Sequence, residues 1–304
     1  MRPALRIAAL ATLTLGLRCT ALAAAEAVTR LEAAPLAEAA DLPPLLCWPE
    51  TWQTPRPVAF YVLRVDLHHP DVEVFTLLGD DPDGEGPAEA KLESPLSLAE
   101  RLGAVAAVNA NAFRHLPGAD EAERRRGWYA GKLVDIAGLA ACNGVLRSPP
   151  DGKLASFWVD HTGRPAAGMA PETTQVRHGV SAWIDHLIQD GQVVARPDTQ
   201  LHPRTLLGSS ADGRYLFMVV ADGRQKGYSE GVSLTESAAF MRQLGCHYAV
   251  NLDGGGSSIL VARTTDPDGA TALRPINRPS GGRPRPIPVM FGVRRKTAPA
   301  AAAP

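Results

Sequence analysis

Residues Asp253-Gly254-Gly255-Gly256-Ser257-Ser258, entered through Tyr248-Ala249-Val250-Asn251-Leu252 and left through Ile259-Leu260-Val261, restrict the fold more than any other stretch. Three successive glycines forfeit more backbone entropy on ordering than other tripeptides, so a fold keeps them where the chain bends sharply or where main-chain N–H groups approach a ligand. A carboxylate, bare amides and two hydroxyls within six residues offer a base or nucleophile beside an anion-binding nest. Taken alone, the segment also reads as a β-hairpin, because Asp-Gly between apolar runs is a strong turn signal.

The bulk composition narrows the setting. With 304 residues, 45% hydrophobic and 21% charged, the chain can bury one large core and is neither disordered nor fibrous. A formal net charge of -1 without any long basic run argues against nucleic acid or an acidic membrane as partner. Arg2 and Arg6, the short apolar run 7–17 and Ala21-Leu22-Ala23 read as a secretory signal over 1–23, so the mature protein is expected to be exported, periplasmic or secreted. The run is too short for stable membrane insertion, which needs about 20 apolar residues. Cys47, Cys142 and Cys246 remain, enough for at most one disulfide, and no Cys or His pair has zinc-ligand spacing.

A mobile leader over 24–46, a catalytic domain over 47–294 and a disordered tail over 295–304 follow from composition. Strands are expected at Val58–Val65, Val72–Leu78, Leu154–Val159, Val180–Ile184 and Gln192–Val194, with a last one at Ile287–Val293. Thr205–Ser209 and Tyr215–Val220 bracket Asp212-Gly213 as a hairpin. The acidic stretch Gly79–Gly86 lacks EF-hand ligand order and reads as a solvated loop, and Gly118–Gly127 as an exposed loop able to act as a lid.

Two helices carry capping-box sequences, Ser97-Leu98-Ala99-Glu100 and Ser233-Leu234-Thr235-Glu236, each stopped by a glycine, Gly103 and Gly245. Each leads into a buried strand with polar residues at its end: Asn109 and Asn111 after the first, Asn251 and Asp253 after the second. This internal echo suggests a pseudo-repeat whose two units lie side by side and open onto one crevice. The fold class expected is α/β (α+β): a mixed β-sheet body with flanking helices and several β-hairpins.

Further polar clusters end apolar runs: Arg204-Thr205, Asp222-Gly223-Arg224 and the loop 277–285 with Arg278, Arg283 and Arg285. Their arginines are candidates for an anion clamp, since guanidinium binds phosphate or carboxylate through two parallel bonds.

Asn109-Ala110-Asn111-Ala112-Phe113, Arg204-Thr205-Leu206-Leu207-Gly208, Ala221-Asp222-Gly223-Arg224 with Gly227-Tyr228-Ser229, and Asn251 to Ser258 together resemble the ordered motifs of the phosphodiester glycosidase family over about 58–293. That family usually has Asn-Gly-Gly-Phe-Phe where this chain has Asn109 to Phe113, which adds bulk near the expected site. The resemblance implies hydrolysis of the bond between a sugar's anomeric carbon and a phosphodiester, on a sugar-1-phosphodiester or a phosphate-linked polysaccharide. It makes Asp253, Asp222, Arg204 and Arg224 the catalytic candidates. Asn109, Asn111, Asn251, Thr205, Arg285, Gly254, Gly255, Gly256, Ser257 and Ser258 become the substrate-binding ones, the asparagines on sugar hydroxyls and the serines near the phosphate. The sequence points to no particular cofactor and leaves metal dependence open, since Asp222 and Asp253 could hold a divalent cation. The alternatives are a non-catalytic secreted carbohydrate-binding or envelope protein, and a phosphodiesterase that cuts the P–O bond.

Overall fold

Long apolar runs such as Val58-Ala59-Phe60-Tyr61-Val62 and Leu216-Phe217-Met218-Val219-Val220 have no polar face, so a strand made of them must be covered on both sides. The computed structural model describes residues 43–169, 173–183 and 186–296. The signal, nearly all of the leader, Ile184 of one expected strand and the last eight residues lie outside them.

A seven-stranded sheet has the order Leu45–Trp52, Val58–Asp66, Tyr215–Ala221, Arg204–Ser209, Tyr248–Asn251, His186–Gln189, Gln192–Val193. A five-stranded sheet has the order Thr271–Pro275, Leu260–Thr265, Ala106–Asn109, Val289–Arg295, Val72–Leu78. Every pairing in both is antiparallel. The inner faces, with Leu63, Met218 and Val250 from the first and Val74, Val108 and Phe291 from the second, share one core. Phe157 and Val180 of a third sheet, built around Ala155–Asp160 and Val176–Ser181, join it.

The outer faces take the helices. Phe60, Leu206 and Val219 pack with Ala238 and Met241 of helix Leu234–Gln243, where Phe240 stacks on Phe60 at 4.0 Å. Phe75, Leu77 and Met290 pack with Leu98 and Ala99 of helix Pro95–Arg101. The expected flanking helices are therefore present, but the body is strand-dominated. Neighbours are antiparallel whether joined by a hairpin, as Arg204–Ser209 and Tyr215–Ala221 are, or brought together from distant parts of the chain, as Val58–Asp66 and Tyr215–Ala221 are.

The capping box at Ser233 forms as expected: its hydroxyl accepts from Glu236 N at 3.1 Å, and the Glu236 carboxylate accepts from Ser233 N at 2.9 Å. The one at Ser97 does not, because the helix begins earlier, with Ser94 at the cap and Pro95 in the first turn. The Arg204–Ser209 and Tyr215–Ala221 hairpin is formed, as is the turn at Asp190-Gly191. The first body strand starts at Leu45 and the last ends at Arg295, so each takes in residues that composition assigned to leader or tail. Gly118–Gly127 contains a short helix, Glu121–Arg125, capped by Asp120. Cys47, Cys142 and Cys246 are all free; Cys47 and Cys246 sit in different apolar clusters, and burial pushes both thiols up to about 12.

The two helix–strand units do not lie side by side. Ala106–Asn109 belongs to the five-stranded sheet and Tyr248–Asn251 to the seven-stranded one. Their ends nevertheless meet, because the glycine segment is a corner that carries the chain from one sheet into the other, with Leu260 already paired to Val108. The hairpin reading of that segment is thereby excluded. Asn109 pins the corner: its Oδ1 accepts from Thr205 Oγ1 at 2.7 Å and Ile259 N at 3.0 Å, and its Nδ2 donates to Asp253 O at 2.6 Å.

Replacing Asn109 by Ala strands a hydroxyl, an amide and a carbonyl in the interior, so thermal or urea unfolding is expected to register a loss of about 3–5 kcal/mol. A loss under about 1 kcal/mol would mean that the corner holds without its pin.

Candidate active site

The corner opens onto a cleft of about 510 Å³. Asp253 and Gly254 to Gly256 form one side, and the segment from Arg196 to Arg204 another. Arg224 and Arg285 reach in from two loops, and Trp183 and Leu234 supply apolar wall. Four arginines against two aspartates, Asp198 and Asp253, leave the cleft electropositive, as a site for an anion requires.

Two of the glycines make room for this charge. Gly255 has φ +63, and a Cβ there would stand 3.1 Å from Arg224 Nη1. A Cβ on Gly256 would collide with the Arg285 guanidinium. The bare backbone thus lets two guanidinium groups close over the corner. Four amides of the expected nest are already bonded: Gly254 N donates to Asp253 Oδ1, Gly255 N to Pro203 O, and the amides of Ser257 and Ser258 close the turn on Gly254 O and Gly255 O. Arginine side chains, not main-chain N–H groups, carry most of the positive potential.

Asp253 is half-buried. Burial raises its pKa from 3.8 to about 6, against the opposing pull of the Ser257 hydroxyl, Arg285 and the Gly254 amide. The second cleft carboxylate differs in state. Asp198 pairs with Arg204 at 3.1 Å and accepts from Gln200 N at 2.9 Å and Leu234 N at 3.3 Å. Burial alone would raise its pKa, but those amides and Arg204 hold it below the usual carboxylate range. Arg204 is spent on this pair and on Val232 O, so it lines the cleft as part of its wall.

His202 has no counterpart in the sequence reading. Its Nδ1 lies 3.1 Å from Arg224 Nη2 and its Nε2 lies 3.4 Å from Gln200 Oε1, an arrangement that suits a neutral ring accepting from the arginine. Burial, then Arg204 and Arg224, depress its pKa and keep it neutral. The available signal was its place at the start of the Arg204 run, two residues before the arginine. Trp183 was also missed, and it is held by main-chain bonds in which Trp183 N donates to Asn251 O and Asn251 Nδ2 donates to Trp183 O.

Several expected site residues lie elsewhere. Asn109, Asn111, Asn251 and Thr205 are buried and do not line the cleft. Asn111 Nδ2 donates to Ala137 O and Leu139 O, so it braces backbone and adds no bulk to the cleft. Ser257 lies under Asp253 and accepts from Arg285 Nη1 at 3.4 Å, whereas the Ser258 hydroxyl is buried. Asp222 is 1% exposed, does not line the cleft, and its carboxylate accepts from Asn277 Nδ2, Arg278 N and Tyr228 Oη. No group of three His, Cys, Asp or Glu side chains that could hold a metal ion gathers among the described residues.

Solved structures share the fold at low identity. The zebrafish N-acetylglucosamine-1-phosphodiester alpha-N-acetylglucosaminidase catalytic domain, auto-inhibited by its pro-peptide, matches with TM-score 0.58 and 20% identity over 85% of this chain and 86% of that one. A hypothetical protein from Synechocystis matches with TM-score 0.55 and 15% identity over 83% of this chain. The match takes in 64% of the Synechocystis chain, less than two thirds of its length. An exported protein of Burkholderia pseudomallei, so described provisionally, gives TM-score 0.50 and 16% identity over 78% and 74% of the two chains. No curated protein matches the sequence. The sequence model of the phosphodiester glycosidase family matches residues 102–294, well over half of the chain, and the protein belongs to that family.

Proposed function

We propose that the protein hydrolyses the glycosidic bond of a sugar-1-phosphodiester, with Arg224 and Arg285 receiving the phosphate and Asp253 serving the anomeric carbon. The observation that carries this reading is the setting of Asp253: it is the cleft carboxylate without a salt bridge among the described residues, and it adjoins a turn whose glycines admit two guanidinium groups.

Phosphate leaves as an anion, so its departure depends on charge stabilisation more than on a proton donor. Preorganised guanidinium forks supply that stabilisation where the negative charge develops. Trp183 offers a flat apolar wall for the face of a sugar ring. Asp253, ionised above about pH 6, draws a proton from the water that attacks the anomeric carbon. One carboxylate acting as base in a single displacement inverts the anomeric configuration.

The zebrafish relative's name makes an N-acetylhexosamine the first sugar to test, and an envelope polymer or glycan the source of the phosphodiester. An exported location agrees with the basic and apolar residues of 1–23. Among the described residues, no helix is long and apolar enough to cross a membrane.

Three outcomes test the reading. Hydrolysis of an N-acetylglucosamine-1-phosphodiester in ¹⁸O-labelled water should place the label in the sugar, with inverted configuration by proton NMR; label in the phosphate would mean P–O cleavage, and retention would make Asp253 a nucleophile. Turnover should rise through pH about 6 to a plateau, and Asp253→Asn should lower kcat by about 10³-fold with the protein still folded. The same substitution should stabilise the fold. Because folded Asp253 holds its proton more tightly than the unfolded chain does, its ionised form costs about 1–3 kcal/mol of stability above pH 6, and that cost fades as pH falls from 6 to 4. Asp253→Asn should therefore melt higher than wild type at pH 8 and gain nothing at pH 4.

A further inference from the structure

Asp222 is an aspartate in the interior that does not line the cleft, yet its carboxylate accepts three hydrogen bonds. Oδ1 accepts from Asn277 Nδ2 at 2.8 Å, and Oδ2 accepts from Arg278 N at 2.9 Å and from Tyr228 Oη at 3.1 Å. Tyr228 Oη in turn lies 2.7 Å from Tyr61 Oη. These bonds join two loops that are far apart in sequence, 222–231 and 276–287.

Each loop delivers one arginine to the cleft, Arg224 from the first and Arg285 from the second. The loops are knitted a second time, where Gln225 Nε2 donates to Arg278 O at 2.8 Å and the Arg278 guanidinium lies over the Tyr228 ring at 5.1 Å. Asn277 extends the tie to the far end of the glycine corner: its Oδ1 accepts from Leu260 N at 2.8 Å, and its Nδ2 reaches Ser258 O at 3.3 Å. Arg224 itself adopts φ +59, a left-handed conformation that a side-chain-bearing residue keeps only when its surroundings enforce it. Its amide donates to Glu230 O across the same loop.

We propose that Asp222 is the positioning residue of the anion clamp, the shared acceptor that sets the Arg224 loop, the Arg285 loop and the glycine corner at one spacing. The inference rests on the functional reading above, in which those two arginines receive the phosphate. An ionised carboxylate suits the task because it offers only acceptors, and all three partners are donors. Asn in its place must turn an NH₂ toward a donor, so at least one loop shifts. A misplaced guanidinium loses the paired geometry on which oxyanion recognition depends.

Calorimetric titration with inorganic phosphate tests this on the full chain. Wild type should bind; Asp222→Asn should bind about tenfold or more weakly at an unchanged folded fraction, the cost expected for one misplaced charged hydrogen bond. The exchange Asp222→Asn with Asn277→Asp lets residue 222 donate to residue 277 while still accepting from Arg278 N and Tyr228, and should recover most of that loss. Gln225→Ala cuts the second tie at a partly exposed position and should weaken phosphate binding about threefold or more, which keeps the test open should Asp222→Asn fail to fold. With a turned-over substrate, Asp222→Asn should raise KM and leave the acid limb near pH 6 in place, since that limb belongs to Asp253. Phosphate affinity equal to wild type in folded Asp222→Asn, or in Gln225→Ala, would overturn the positioning role while leaving the clamp intact. Wild type that binds no phosphate would overturn the clamp reading and this inference together.

Discussion

The buried carboxamide of Asn109 is the contact on which the rest of this molecule depends. It lies where the two central sheets come together and satisfies polar groups of three segments: the Thr205 hydroxyl, the Ile259 amide and the Asp253 carbonyl. A corner of three glycines has little intrinsic preference for any one path. Hydrogen bonds made away from water give it one, since the alternative for each partner is an unsatisfied group in the interior. Asp253 owes its position to this pin, and Gly254 to Gly256 owe theirs to it and to Pro203 O, which accepts from the Gly255 amide.

The cleft built on that corner sets charge against burial. Asp253 is held where its ionised form is disfavoured; Arg285, admitted by the missing side chain of Gly256, relieves it in part, and Arg224 reaches the cleft from a left-handed backbone. Sites tuned in this way trade stability for chemistry. Asp198 and Arg204 illustrate the other solution, a carboxylate and a guanidinium neutralising each other at the wall, which shapes the cleft without leaving either free for a ligand. The two aspartates of the cleft therefore shift in opposite directions, because at Asp253 burial outweighs Ser257, Arg285 and one amide, whereas at Asp198 two amides and the Arg204 ion pair outweigh burial.

What could be read in the chain were the features whose physics is local. Asp253 to Ser258 announced itself because no ordinary strand or helix tolerates three glycines, and the Ser233 box and the hairpin around Asp212-Gly213 follow from short-range bonding rules. Arg224 and Arg285 could be proposed as cleft residues because each adjoins an apolar run and guanidinium suits an anion, although the same placement also fits an ion pair such as Arg204 makes with Asp198. The roles of Asn109, Asn111 and Asn251 were not legible, since a carboxamide bonds a sugar hydroxyl or a peptide carbonyl equally well and only the tertiary crossing decides which is near. The buried setting of Asp222 was hidden for the same reason: its partners Asn277 and Arg278 are more than fifty residues away. The sheet order was hidden too, because antiparallel partners such as Leu260 and Val108 are brought together by closure of long loops and not by neighbouring sequence.

The corner between the sheets has one more consequence. Its carboxylate enters from a strand of one sheet and its chain leaves into the other, while the arginines opposite come from loops fastened to both. No sub-assembly containing a single sheet can hold the whole pocket, so the pocket exists only once the two sheets are docked.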